Sequence, residues 1–93
     1  PIFVIMNDGA YGSEIHKLRS EGLPDTGSVF GRHDFGAVAR GFGLDGTVVK
    51  NLADLPKLVQ EFSKKGGAAV WDFHVSDRVT SPTIRKAHPA KHK

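Results

Sequence analysis

No cysteine occurs among the 93 residues, which excludes a disulfide framework, a thiolate zinc site and a cysteine nucleophile. Long apolar runs are missing as well. Nowhere do about eighteen apolar residues follow one another, and no charged, apolar and small-residue leader opens the chain. Neither a membrane span nor a signal peptide is therefore expected, and a cytoplasmic protein without a membrane partner is the reading. A basic face interleaved with aromatic residues is also lacking. The net charge is +3, but from Ser76 onward five basic residues face one acid, while residues 1–75 hold 8 basic and 9 acidic groups. The basicity belongs to the tail, so no nucleic-acid partner is expected.

What is present begins at once. Ile2 to Met6 is a short apolar run rich in β-branched and aromatic side chains, stopped by Asn7-Asp8-Gly9. It reads as a strand covered on both faces, as in a parallel sheet. The chain starts on Pro1 and is inside this strand by its second residue, and a central strand needs neighbours on both sides. A piece of a longer protein is the expectation, with the missing N-terminal part or another subunit as partner.

Behind the turn, Tyr11, Ile15 and Leu18 recur at helical spacing, with Glu14 early and Lys17 and Arg19 late, as the helix dipole favours. Glu21 to His33, with Gly22, Pro24, Asp25, Gly27, Ser28 and Gly31, is loop chemistry, long enough to form a mobile cover. Asp34 reads as an N-cap before Phe35, Val38, Ala39 and Phe42, and Gly43 as the left-handed C-terminal residue. Thr47 to Val49 reads as a strand. Leu55, Leu58, Val59 and Phe62 mark a further helix, with Asp54 as its cap, Pro56 in its first turn and Gly66-Gly67 as its end. Ala68 to Val75 is a second clear strand, in which Trp71 and Phe73 are core residues. Residues 76–93 have no sustained period, with at most one helical turn near Thr83 to Lys86. Alternation of strands and helices implies the α/β class, a partial parallel sheet with flanking helices joined by right-handed crossovers.

Asn7-Asp8-Gly9 is foremost a turn sequence. Its position gives it a second reading. In open parallel sheets ligands bind beyond the carboxyl ends of the strands. There Asp8 offers a hard oxygen suited to Mg2+, and the amides of Gly12, Ser13 and Glu14 at a helix start suit a phosphate. Several other polar residues have plainer readings. His16 is a tempting acid or base near that turn, yet a lone histidine on a short polar helix is more often a surface residue, and Glu14 and Lys17 are read likewise. His33 and Asp34 are adjacent and point apart. His88 and His92 sit in a solvated, lysine-rich end.

The stretch Val4-Ile5-Met6-Asn7-Asp8-Gly9-Ala10-Tyr11-Gly12 resembles the second half of the thiamine diphosphate motif, in which a Gly-Asp-Gly is followed by Asn-Asn or Asn-Asp after a strand. The serial match continues through Asp34 to Gly43, Leu52 to Leu55 and the closing strand, in the order of the cofactor domain of acetolactate synthase-like enzymes. The resemblance implies that residues 1–75 are the C-terminal part of a thiamine diphosphate-binding domain, followed by a basic, extended or disordered tail at 76–93. It implies that the Asp8 side chain and the Ala10 carbonyl bind Mg2+, which bridges the diphosphate. Asn7 would organise the turn, Gly9 belongs to it, Tyr11 would pack beside the diphosphate, Gly12 would allow close approach, and Ser13 would open the binding helix. The activity implied is that of a lyase or transferase on 2-oxo acids or aldehydes, in a homo-oligomer.

The departures from the family's pattern are specific. The first aspartate of the motif lies upstream of Pro1, and Gly43-Leu-Asp-Gly46 is no substitute, because it precedes a strand. The glutamate that activates the aminopyrimidine comes from another domain. No catalytic residue is therefore assigned, and the chain alone is expected to be inactive. Ser13, Glu14, His16 and Lys17 stand where acetolactate synthases proper carry Gly-Met and then a Trp, which argues against branched-chain precursor synthesis. The alternative is a non-catalytic α/β phosphate-binding or scaffold module, distinguished by the absence of an upstream Gly-Asp-Gly.

Overall fold

The structure, a computed structural model, describes residues 1–89; the calls on His92 and on the lysines at 91 and 93 lie outside them. The described chain divides into two compact units, one of residues 1–7 and 33–75, the other of residues 8–32 and from 76 onward.

The first unit is built on β1 (Ile2–Asn7), α2 (Phe35–Gly41), β2 (Asp45–Val49), α3 (Leu55–Lys65) and β3 (Ala69–His74), in the second unit's company of α1 (Gly12–Ser20) and α4 (Pro82–Ala87) along the chain. Its three strands are parallel in the order β1-β3-β2. The expected α/β sheet is present. The centre of the sheet, however, is β3 and not the opening strand. β3 pairs on both sides and its first four residues are buried. β1 pairs only with β3, and Phe3, Val4 and Met6 are 54%, 55% and 67% exposed. Successive residues of a strand point to opposite faces, so both faces of β1 are open among the described residues, and the cover expected for it is not supplied by them.

Each helix of this unit takes one face. Val49, Ala69 and Trp71 form the core, and Leu55, Leu58 and Phe62 of α3 pack on it together with Phe73. The Phe62 and Trp71 rings meet edge to face at 6.4 Å. On the other face α2 approaches β2 so closely that a Cβ on Gly46 would overlap the Gly36 carbonyl and touch Ala39. The ends of α2 follow the sequence reading. Asp34 Oδ1 accepts from Ala37 N at 2.8 Å. Gly43 takes φ 84°, its N–H reaches Arg40 O, and Leu44 N–H reaches Ala39 O, the paired bonds of a Schellman ending. Asp54 behaves differently. It is already helical and makes no capping bond, because a 3-10 turn at Leu52–Asp54 precedes α3 and Asn51 Oδ1 accepts from Ala53 N.

In the second unit α1 buries Ile15 completely. The loop behind it contains a 3-10 turn at Thr26–Ser28 and an isolated antiparallel bridge between Ala10 and Val29. In the tail, α4 spans six residues, with Ser81 Oγ accepting from Ile84 N and Pro82 in the first turn.

Candidate functional site

β1 ends at Asn7, which is buried in the first unit at 4% exposure. Its carboxamide Nδ2 donates to the His33 carbonyl at 3.0 Å and to Asp72 Oδ2 at 3.3 Å, and its own carbonyl accepts from Val75 N. Asp72 is wholly buried on β3. The same Oδ2 accepts from Phe35 N at 3.0 Å, so one carboxylate oxygen serves both the Asn7 side chain and the first turn of α2. His74 Nε2 lies 3.7 Å away, beyond hydrogen-bond reach. Sequence reasoning passed over Asp72. The signal for it was a charged residue in the middle of an otherwise apolar strand, a placement that requires partners.

The turn itself belongs to the second unit. Asp8 Oδ1 accepts from Ala10 N at 3.1 Å, an Asx turn, while Oδ2 accepts no hydrogen bond among the described residues. Gly9 has φ 76°, and its carbonyl accepts from Phe30 N at 3.0 Å and Gly31 N at 2.9 Å, which ties the turn to the long loop. A Cβ there would press against the Gly31 and Arg32 backbone. Tyr11 N donates to Ser28 O, and the Tyr11 ring stands edge-on to Phe30 at 5.1 Å while staying 61% exposed. The loop is thus partly pinned by the turn.

Gly12 opens α1. A Cβ on it would overlap Asp8 Oδ2, so glycine alone leaves that carboxylate oxygen against the start of the helix. Tyr11 is the N-cap and provides no side-chain cap; the amides of Gly12, Ser13 and Glu14 donate no hydrogen bond among the described residues. The Ala10 carbonyl likewise accepts none. Uncapped first-turn amides with the positive end of the helix dipole favour an anion. Glu14 in the same turn works against a second negative charge.

Other polar residues singled out in the sequence lie elsewhere. His16 Nδ1 is 3.4 Å from Thr80 Oγ1, Asp34 caps α2, and Asp45 starts β2 and pairs with Lys65 Nζ at 2.9 Å. Among the described residues no three His, Cys, Asp or Glu side chains gather as a metal cluster. Mg2+ does not require one, since it is commonly held by one or two carboxylates together with ligand phosphates. The donors present, one carboxylate oxygen and one carbonyl without hydrogen bonds, fit that pattern.

The three-stranded parallel sheet with its flanking helices defines an α/β class of domain. Residues 1–73 match the family described as thiamine pyrophosphate enzyme, C-terminal TPP binding domain. The chain belongs to this family, and is part of a thiamine diphosphate-dependent enzyme. No curated protein matches it. No helix among the described residues is long and apolar enough to cross a membrane.

Proposed function

We propose that the Asp8 to Ser13 turn holds Mg2+ and the diphosphate of thiamine diphosphate. Asp8 Oδ2 and the Ala10 carbonyl take the cation, and the Gly12 and Ser13 amides take diphosphate oxygens. Gly9 sets the turn, Tyr11 flanks the diphosphate, and Asn7 anchors the strand end from which the turn starts. The observation that carries this reading is the pairing of orphan helix amides with a carboxylate oxygen that lacks a hydrogen bond, side by side at Gly12. When bound, thiamine diphosphate supplies the stabilisation of a carbanion. The chain's own residues bind and orient it.

The enzyme is read as a lyase or transferase of the acetolactate synthase-like group, a decarboxylase, carboligase or lyase acting on 2-oxo acids or aldehydes. It is cytoplasmic and homo-oligomeric on this reading. The exposed apolar residues of β1 support a partner there, supplied by the N-terminal part of the protein or by another subunit.

Calorimetry on the full-length protein tests the assignment. Thiamine diphosphate should bind only with Mg2+ present, and Asp8→Ala should weaken cofactor and metal together by at least about tenfold, the worth of one charge-assisted contact. Unchanged affinity in Asp8→Ala would remove Asp8 from the site.

A further inference from the structure

The second unit contains an open cavity of about 760 Å3 between α1, residues 77–80 and α4. Three arginines line it, Arg19, Arg78 and Arg85, against one carboxylate, Asp77. Arg19 is fully committed. Its Nε donates to Asp25 Oδ2 at 2.6 Å, Nη1 to the Asp77 carbonyl at 2.6 Å and Nη2 to Asp77 Oδ2 at 3.2 Å. These bonds raise the pKa of Arg19, with Asp25 the larger cause, and lower that of Asp77. Arg19, Asp25 and Asp77 therefore act as a strut that fixes one wall of the cavity, two carboxylates sharing one guanidinium.

Arg78 and Arg85 add two positive charges against the one negative charge that the strut leaves over, so the cavity is net positive. Arg85 Nη1 donates to the Thr80 carbonyl at 2.7 Å, which fixes the guanidinium and leaves its other donors without a hydrogen bond among the described residues. The Arg78 guanidinium makes no hydrogen bond or ion pair there, although it is near enough to Asp77 to lower the carboxyl's pKa. His16 and His88 add ring nitrogens to the same cavity. Two guanidinium groups with donors to spare on one net-positive cavity match a phosphate oxyanion, to which arginine's planar fork is suited. The volume, within the roughly 300–1,000 Å3 of small-molecule sites, leaves room for an organic group attached to it.

We propose that this cavity binds a small phosphorylated molecule through Arg78 and Arg85, without a metal ion and without the residues of the Asp8 turn. The site is separate in chemistry from the diphosphate site proposed above, so either can fail alone.

The test is a 15N NMR titration of the full chain with inorganic phosphate, in EDTA to suppress metal-dependent binding. Saturable shifts are expected in α1 and in residues 77–89, with the Asp8 to Ser13 amides unmoved. Arg78→Ala and Arg85→Ala should each weaken binding by about tenfold, as loss of one charge-assisted bond implies. Arg78 carries no structural hydrogen bond through its side chain, so its variant keeps the fold. Acetate should bind at least about tenfold more weakly than phosphate, since it has a single charge and two fewer oxygens. A titration that does not saturate, affinity unchanged in both variants, shifts centred on the Asp8 turn, or acetate binding as tightly as phosphate would each overturn the proposal.

Discussion

Asp72 and Gly12 carry consequences out of proportion to their side chains. One oxygen of the buried Asp72 accepts from both Asn7 Nδ2 and Phe35 N. Asp72→Ala leaves two donors without that acceptor, at about 1–3 kcal/mol for each buried group. A loss of about 2–6 kcal/mol in urea unfolding is expected, with Asp72→Asn losing less because an acceptor oxygen remains. Equal losses in the two variants would show that packing, not acceptance, is what Asp72 provides. At Gly12 the obstruction to a Cβ is the end of a side chain that can rotate, and the backbone is not left-handed. Gly12→Ala should therefore change the melting temperature little while turning Asp8 Oδ2 away and weakening Mg2+-dependent cofactor binding by about tenfold. Unchanged affinity would show that the carboxylate does not need its present place. The glycine was legible in the sequence as a close-approach residue. What it approaches, the neighbouring Asp8, was not, since it depends on how the turn closes.

At the scale of elements, the helix boundaries were legible wherever the signal was local. Asp34 caps α2 because its side chain needs only the amide three residues on. Asp54 does not cap α3, because Asn51 captures the chain earlier and starts a 3-10 turn that runs into the helix. The sequence reading takes Asp54 as the cap and passes over Asn51, three residues earlier, which propensity alone does not rank below it. The contact of α2 with β2 had no local signal. Gly46 lies in a strand, where glycine is ordinarily unfavourable, and its reason is the Gly36 carbonyl directly above it. Gly46→Ala must push α2 off the sheet and should cost roughly 1–3 kcal/mol. Thermal unfolding followed by circular dichroism checks this; a melting temperature equal to that of the parent chain would mean that the two elements separate without cost.

At the scale of the whole molecule, the Arg19 strut gives the second unit an acid-sensitive contact. The Asp77 carboxyl is held below its ordinary value of 3.8, chiefly by its hydrogen bond to Arg19. A depressed carboxyl contributes stability above its ordinary value and loses it as pH falls through the depressed one. The Arg19 shift is upward and has no effect in this range, since a raised arginine loses its contribution only in strong alkali. The protection factors of α1 amides, exchange rates corrected for the intrinsic pH dependence, should therefore be steady from neutral pH down to about 5 and fall below about 4, and Asp77→Asn should remove part of that step. The pair is exposed, so the step should be small and shrink in high salt. An identical acid profile in Asp77→Asn would exclude Asp77 as its source.

The sequence by itself determined the α/β class, the order of strands and helices, both ends of α2 and the motif that places the chain in its family, because each rests on periodicity or on residues within a few positions of one another. It read the opening strand as covered on both faces and Ala68 to Val75 as a second clear strand, without settling which is central: hydrophobicity tells how much burial a strand can use, while pairing decides which strand receives it. Only the tertiary structure put β3 in the centre, brought Asp72 to Asn7 from 65 residues away, and joined Arg19 to Asp77 across 58. These are long-range contacts, fixed by the register of the sheet and the packing of helices. The turn from Asp8 to Ser13 shows both contributions, its chemistry written in consecutive residues and its loop anchor at Ser28 and Phe30 supplied by the fold.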